Sequence, residues 1–584
     1  MSTESQAVPS VQATAPIDVG KGRPGSFLVL LVLLSAALFS RYVDPRSLYD
    51  LNPWPDTVEY VTGARSILLD HTFVIHINDY VLPSRYSLGF PLLIVPVLLV
   101  TGIDYTHAIY TVLVLDGVLI VSTFFLARIL FGDVAAVCAT WCVVTSPTDL
   151  YAAQHIMSDL PSTTFVVLAM VPLVGSVLLS QKFPRQLILA IVSGLVLGYA
   201  CWIRQTNMMY LPIFALFLAV CGASFITSRR GMLFHKTLLI ISIAGAWMLT
   251  QIPIFIYNYR TFGSIGKNGY SYWVPYWYGD VTRTFSLRNA FGEGNHGFVY
   301  VKSLLSLPGP TIFHGSTLLY LPVVVIGVAT AILRIYYMPG HGRVRLTRSR
   351  DTDDTHAYVE RWAAAMIIGM TIFTSVLYSL YFSPADLRFM HTVIPLMSVL
   401  AGAGFYAFSH IIMRALSHVH LSNKTVSAVL FIIVAGGMGY EVGRMVVSSC
   451  LWQAARAHRE FFLPIDYTWI QLVNEHTDPS AVIVSDSVPP ILFTAYQPEG
   501  SRRMMVPFKN HELMPDDRPL SSFRENSGAV KEAMKRHVQV FFVGDPASFK
   551  SLPEARGFLL TPTVSQSYAN GAAMLTLYAV GLEP

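Results

Sequence analysis

Long apolar segments recur along this chain of 584 residues, each near the length that crosses the hydrocarbon core of a membrane. Inside that core the backbone finds no water to bond, so a chain that crosses it repeatedly must form helices. The mean hydropathy of +0.50 agrees with this class. The sequence therefore predicts a polytopic α-helical membrane protein. We expect eleven spans, near 26–43, 108–127, 133–150, 160–180, 187–203, 207–226, 237–256, 316–334, 363–382, 389–409 and 426–445.

The basic residues between these segments predict the orientation. A further apolar segment, 86–102, contains Pro91 and Pro96. If it does not cross the membrane, the basic connections from Arg128 to Lys424 all lie on the cytoplasmic side, as such residues prefer. We therefore interpret 86–102 as re-entrant or lying in the interface, with a missed span elsewhere as the alternative. This orientation places the N-terminus inside and the C-terminus outside, in the plasma (inner) membrane.

Composition changes at both ends of the chain. Residues 1–24 are rich in Ser, Thr and Pro, which predicts a disordered cytoplasmic leader, although a signal peptide is the alternative for the first apolar segment. Residues 25–445 form the predicted membrane domain, with extracytoplasmic loops 44–107 and 257–315. The tail, 446–584, is predicted to be a small extracytoplasmic α/β domain. We expect its strands at 481–486, 504–508, 538–545 and 573–580, with a helix at 526–537.

The tail contains no phosphate-binding loop, nucleophile elbow or metal-ligand spacing. We expect it to cover a site or bind an acceptor, and pure stabilisation is the alternative. The net charge of +5 is small for this length, and no basic patch indicates binding to nucleic acid. The bilayer is therefore the partner that composition predicts.

Four charged residues lie at the ends of apolar segments on one predicted face of the membrane: Asp56, Asp159, Arg204 and Arg388. Charges at such positions are costly unless they are paired or functional, so their common side predicts a site. The alternative is that each is an interfacial residue whose side chain reaches water. Asp116 lies inside an apolar segment, where we favour a hydrogen bond between helices over catalysis.

Several short motifs carry a resemblance to a known superfamily. "PDTVEYVTGARSI" followed by "PSRYSLGFPLL" resembles the first extracytoplasmic loop of the C-type (GT-C) integral-membrane glycosyltransferases, which include protein O-mannosyltransferases and lipid A aminoarabinose transferases. "HIMSDLPSTTFVVLAM", "GLVLGYACWIRQTNMMYLP" and "DLRFMHTVIPL" resemble later landmarks of that superfamily, over roughly 26–410. The resemblance implies transfer of a sugar from a polyprenyl-phosphate donor, with inversion, to an extracytoplasmic protein, glycan or glycolipid.

The resemblance also implies roles for individual residues. Asp56 matches the catalytic aspartate, which takes a proton from the acceptor hydroxyl. The leaving phosphate needs fixed positive charge or a metal ion. Arg85, Arg204 and Arg388 are the candidates for phosphate binding, since a guanidinium group holds phosphate oxygens in a bidentate way.

Two positions depart from the pattern of the superfamily. Thr57 stands where relatives often have a second acidic residue, and Ser84 stands where some have an acidic metal ligand. A divalent cation is therefore an open question. Glu59, Asp159 and His155 are the candidates for a second acid or a metal ligand.

Aromatic side chains are the candidates for contact with the sugar or the lipid. Tyr86 follows Arg85, and Trp273, Tyr276 and Trp277 lie in the aromatic loop "YSYWVPYWYGD". An interfacial aromatic belt is the alternative for that loop. Two rival functions also remain at this stage, a membrane transporter and a catalytically silent scaffold of the same fold.

Overall fold

The structure is a computed structural model that describes chiefly residues 24–42, 56–300, 352–417, 435–447 and 465–583, with short breaks inside the longer ranges. Most of the predicted leader, the predicted span 316–334 and the first part of the predicted span 426–445 lie outside the described residues.

The described part of the membrane domain is helical. Its main helices are α1 (Pro24–Tyr42), α2 (Asp56–Leu69), α3 (Gly89–Thr101), α4 (Ile109–Phe131), α5 (Asp133–Val144), α6 (Pro147–Ala153), α7 (Asp159–Leu178), α8 (Phe183–Ile203), α9 (Tyr210–Cys221), α10 (Arg229–Phe262), α11 (Thr352–Leu380) and α12 (Val393–Ser417), and four shorter helices of four or five residues lie between Gly269 and Phe291. Among the described helices, α1, α4, α7, α8, α10 and α11 are long and apolar enough to cross a membrane, while α3, α5, α9 and the apolar part of α12 are shorter. The protein is therefore a polytopic membrane protein, and the number and orientation of its crossings stay predictions.

Two predicted segments have a different form from a simple span. The predicted span 133–150 is divided, because Pro147 cannot continue α5 and instead begins α6, where Ser146 accepts a hydrogen bond from the Asp149 N–H at 3.4 Å. Segment 86–102 folds as α3, whose 13 residues extend about 20 Å. This length is short of the ~30 Å hydrocarbon core, which fits a re-entrant or interface-lying segment.

Small residues allow the long helices to pack closely. A Cβ atom on Gly194 of α8 would lie 2.4 Å from the carbonyl oxygen of Ile243 on α10, and one on Gly402 of α12 would lie 2.3 Å from that of Ala135 on α5. Such close backbone approach is a common way in which membrane helices associate. The buried apolar side chains of α1, α4, α5, α7 and α12 form one continuous cluster.

A short β-hairpin follows α2 and leads to Arg85. Its strands β1 (Val74–Ile77) and β2 (Tyr80–Pro83) pair antiparallel, with Ile77 opposite Tyr80. The hairpin therefore connects the helix that begins at Asp56 with the loop that carries Arg85.

The tail forms an α/β domain. Its strands are β3 (Val482–Ser485), β4 (Met504–Pro507), the small pair β5 (Leu513–Met514) and β6 (Arg518–Pro519), β7 (Val540–Val543), β8 (Phe558–Tyr568) and β9 (Ala573–Leu582). Its helices are α13 (Ile465–His476), α14 (Pro490–Tyr496), α15 (Phe523–Lys535) and α16 (Pro546–Lys550). The main sheet has the order β4-β3-β7-β9-β8, with β3 parallel to β4 and β7.

The predicted strands of the tail are confirmed, as is the helix predicted at 526–537. The sequence analysis missed β8, whose last eight residues, "TPTVSQSY", are mostly polar. Since β8 lies at the edge of the sheet and most of it is exposed, it needs no apolar pattern.

Candidate active site

Asp56 is the first residue of α2, and both of its carboxylate oxygens accept hydrogen bonds. The Tyr86 hydroxyl donates to one oxygen, and Nη1 of Arg388 donates to the other at 3.0 Å. Arg388 lies in a short 3₁₀ turn, Leu387–Met390, directly before α12. Two predicted site residues that are 332 positions apart therefore form an ion pair.

Glu59 lies one turn after Asp56 on α2 and pairs with Arg85. Nη2 of Arg85 lies 2.8 Å from one Glu59 oxygen, and the Arg85 backbone N–H donates to the other at 3.2 Å. Burial raises the pKa of Glu59 to about 7, although the positive charge of Arg85 acts in the opposite direction. Near neutral pH this carboxyl group therefore exists in both protonation states.

Asp159 forms the third pair, with Arg204. Asp159 begins α7, and Arg204 directly follows α8. The Phe389 ring lies 5.3 Å from the Arg204 guanidinium and 5.1 Å from that of Arg388, so two of the three pairs contact the same aromatic ring. The Tyr60 hydroxyl donates to Oγ of Ser158 at 2.9 Å and connects α2 to the start of α7.

The three pairs form one cluster of charge at the ends of apolar helices. Tyr86 connects the first two pairs, because it bonds Asp56 and its ring lies 5.9 Å from the Arg85 guanidinium. Asp386 adds a fourth carboxylate, with Nε of Arg388 2.8 Å from its oxygen, and burial raises the pKa of Asp386. The predicted convergence of Asp56, Asp159, Arg204 and Arg388 is therefore present in the structure.

The aromatic loop reaches this cluster through residues that the sequence analysis did not choose. The Tyr270 ring meets the Tyr86 ring edge-on, with centroids 5.4 Å apart, and also lies 4.8 Å from the Tyr278 ring. The Tyr278 hydroxyl bonds the Tyr381 hydroxyl at the end of α11. The richness of this loop in aromatic residues was the available signal, but it could not identify the side chains that turn inward.

The three aromatic residues predicted in this loop have different positions. Trp273 is buried, lies 5.1 Å from the Arg85 guanidinium and donates from Nε1 to the Pro83 carbonyl oxygen at 2.7 Å. Tyr276 is more than half exposed and lies against Arg283. Trp277 stacks on Phe382 with its ring centroid 4.6 Å away. Trp273 therefore supports a site arginine, while Tyr276 and Trp277 pack outside the three pairs.

His155 does not share a helix with Asp159, because α6 ends at Ala153 and α7 begins at Asp159. Its Nδ1 lies 2.7 Å from the Tyr151 carbonyl oxygen, and its ring lies 4.1 Å from the Tyr151 ring. The described part of the chain contains no group of three His, Cys, Asp or Glu side chains placed to hold a metal ion. Each carboxylate of the three pairs is bound by an arginine, and a divalent cation at this site stays an open expectation from the sequence.

Solved structures with the same architecture identify the fold. ArnT from Cupriavidus metallidurans in the apo state superposes with a TM-score of 0.56 at 12% identity, over 95% of this chain and 98% of that one. The same protein bound to undecaprenyl phosphate gives 0.53 at 13% identity, with the same coverage. The arabinofuranosyltransferase AftD from Mycobacteria gives 0.51 at 12% identity, over 98% of this chain and 41% of that one.

ArnT and AftD are glycosyltransferases with the GT-C fold, and this chain has that fold, as its motifs predicted. No protein-family model and no curated protein matches the sequence.

Proposed function

We propose that this protein is a glycosyltransferase that moves one sugar from a polyprenyl-phosphate donor to an acceptor outside the cytoplasm. The observation that carries the proposal is the meeting of three carboxylate–arginine pairs at the ends of apolar helices. A lipid-linked phosphate presents its charge at this depth, where the tail lies in the bilayer and the headgroup reaches the surface. One solved structure of the same fold, ArnT, contains undecaprenyl phosphate.

The arginines bind the donor phosphate in this proposal. Arg85, Arg204 and Arg388 each form an ion pair with a carboxylate, so the guanidinium groups are already oriented before a ligand arrives. Side chains of this kind offer several N–H donors, and a phosphate oxygen competes with the carboxylate for them. The same donors stabilise the negative charge that grows on the phosphate as the sugar leaves.

Asp56 acts as the base. It removes the proton from the acceptor hydroxyl while the hydroxyl oxygen forms a bond to the anomeric carbon of the sugar. The bond from that carbon to the phosphate oxygen breaks, and its electron pair leaves with the polyprenyl phosphate. Attack opposite the leaving group inverts the configuration at the anomeric carbon. The acceptor is a protein, glycan or glycolipid on the extracytoplasmic face of the plasma membrane.

The test is sugar transfer from a panel of radiolabelled polyprenyl-phosphate sugars by the purified protein, with a membrane extract as the source of acceptor. We expect Asp56→Asn to lower the rate about 1,000-fold, because the amide cannot take the proton, while the donor still binds. Asp133→Asn is the matched control, since it removes a carboxylate 2.8 Å from Arg128 at the start of α5. It should leave transfer unchanged.

The other outcomes would contradict the proposal. Donor binding without transfer by the wild-type protein would favour a silent scaffold of the same fold. Absence of donor binding would favour a transporter. Transfer by Asp56→Asn at the wild-type rate would remove Asp56 as the base.

A further inference from the structure

Along the chain, the hairpin of β1 and β2 lies between Glu59 and Arg85, which form one of the three ion pairs. Helix α2, which begins with Asp56 and carries Glu59, ends at Leu69 and is followed by β1, while β2 ends at Pro83, two residues before Arg85. The hairpin has only four paired positions on each strand. A two-stranded hairpin of this size is marginally stable by itself, so its position depends on what it packs against.

The tip of the hairpin is bound to the open edge of the sheet in the tail. Nδ2 of Asn78 donates to the Met505 carbonyl oxygen at 2.7 Å, and the Met505 N–H donates to Oδ1 of Asn78 at 2.8 Å. Strand β4 is an edge strand, and its Met504 N–H already bonds Ala481 at the start of β3. The Asn78 amide therefore occupies the unpaired side of β4, as a neighbouring strand would.

The backbone at the tip suits this contact. Asn78 has a φ of 53°, in the left-handed region that asparagine tolerates better than most residues. His71, between α2 and β1, has the same φ, but its side chain is exposed. The two residues therefore share a backbone conformation and differ in the role of the side chain.

Two further contacts join the same parts of the molecule. Nη1 of Arg65 on α2 donates to the Gln497 carbonyl oxygen at 3.2 Å, directly after α14. Ile75 and Ile77 of β1 are fully buried in the apolar cluster that includes Phe493 of α14. The tail domain thus contacts α2 and the hairpin at several points.

We propose that Asn78 is a positioning residue, which fixes the hairpin on the tail domain and thereby sets the placement of Asp56, Glu59 and Arg85. The tail domain then contributes to catalysis by holding the site in its productive geometry. The kinetic part of this inference rests on the proposed function. Misplacement of reacting groups by about 1 Å lowers catalytic rates strongly, so loss of the contact should reduce kcat.

Asn78→Gly tests the effect of the Asn78 side chain separately from the effect of its backbone conformation. Glycine keeps the left-handed conformation and removes both hydrogen bonds to Met505. We expect kcat for sugar transfer to fall about tenfold, with the KM for the donor within twofold of wild type. His71→Gly is the matched control and should leave both constants unchanged. Asn78→Asp keeps the acceptor for the Met505 N–H but loses the donor, and should give an intermediate kcat.

Hydrogen exchange measured by mass spectrometry tests the contact without any activity. We expect faster exchange in Asn78→Gly at both 56–69 and 504–507, with neither range changed in His71→Gly. Equal exchange and equal kcat in wild type and Asn78→Gly would overturn the inference. An inactive wild-type protein whose Asn78→Gly variant still exchanges faster would count against the proposed function while leaving the mechanical link in place.

Discussion

At the scale of residues, Asp56 is held between a neutral donor and a cation. Burial raises the pKa of Tyr86 well above its ordinary value, so this phenol keeps its proton. Its hydroxyl donates a hydrogen bond to the carboxylate. Arg388 binds the other oxygen and is itself shared with Asp386. In the proposed mechanism this arrangement fixes the carboxylate before the acceptor arrives, which reduces the reorganisation that proton transfer requires.

With the proposed function, Glu59 predicts a pH dependence of donor binding. Below its pKa of about 7 it is neutral, and Arg85 can direct its charge to the donor phosphate. As the pH rises through 7, the ionised carboxylate competes for Arg85 and repels the phosphate. Because a phosphodiester keeps the same charge across this range, we expect the Kd of the donor to rise about fivefold between pH 6 and pH 8 for one pKa unit of interaction between Glu59 and the bound donor. Equilibrium binding of a labelled donor at several pH values measures this change in Kd.

Glu59→Gln is the variant for this prediction. It should bind the donor with an affinity that changes little from pH 6 to pH 8, since the amide does not titrate. An equally steep pH dependence in Glu59→Gln would show that another group is responsible.

At the scale of elements, the aromatic loop and its flanking residues, 266–286, are joined to the end of α11 by backbone hydrogen bonds. The Ser286 N–H donates to the Leu380 carbonyl oxygen, and the Phe382 N–H donates to that of Thr284, both at 2.9 Å. Gly269, at the other end of the loop, packs directly on the backbone that carries Arg85. The loop is therefore a structural wall of the site, fixed at both of its ends.

Gly269→Ala tests this packing. The added Cβ would lie 2.2 Å from the Ser84 carbonyl oxygen and 2.5 Å from that of Arg85, so the Arg85 segment has to move. We expect the KM for the donor to rise about tenfold and the protein to lose about 1–3 kcal/mol of stability. Steady-state kinetics and thermal unfolding in detergent measure the two effects.

Gly266→Ala is the control in the same loop, because its Cβ would meet no atom within 4 Å. It should behave as wild type. A Gly269→Ala variant with an unchanged KM would mean that the loop does not position Arg85.

At the scale of the whole molecule, a buried ionic network joins the end of α1 to the turn just before α12. Arg41 at the end of α1 lies 2.6 Å from an Asp116 oxygen on α4 and 2.7 Å from an Asp149 oxygen on α6. Nε2 of His391 lies 3.1 Å from the other Asp149 oxygen, and its Nδ1 lies 3.1 Å from Oγ1 of Thr163 on α7. Asp116 therefore contacts a neighbouring helix through an ion pair, where the sequence analysis favoured a hydrogen bond between helices.

Arg41→Met tests the contribution of this network to stability. The substitution leaves two buried carboxylates without their cation, and we expect a loss of about 3–5 kcal/mol. The double variant Arg41→Met with Asp116→Asn should lose less than the sum of the two single variants, because it removes both charges of one pair. Thermal unfolding of the purified proteins in detergent measures the losses.

Arg128→Met is the control variant for the loss of stability in Arg41→Met, because the Arg128–Asp133 pair is partly exposed. It should cost much less than Arg41→Met. Strict additivity of Arg41→Met and Asp116→Asn would show that the two side chains do not stabilise each other.

Features that depend on neighbouring residues could be predicted from the sequence. Apolar length predicted membrane helices, and β-branched runs predicted four strands of the tail. The resemblance of short motifs predicted the GT-C fold, which the solved structures confirm. These signals are local, because a buried helix or strand has a hydrophobic pattern over consecutive residues.

The tertiary structure alone decided which distant side chains meet. Asp56 pairs with Arg388, and Asn78 pairs with Met505, across 332 and 427 positions of the chain. Tyr270 turns toward the site while its neighbour Tyr276 turns away. No local pattern encodes these choices, because each one depends on how packed helices and the tail domain bring separate segments together.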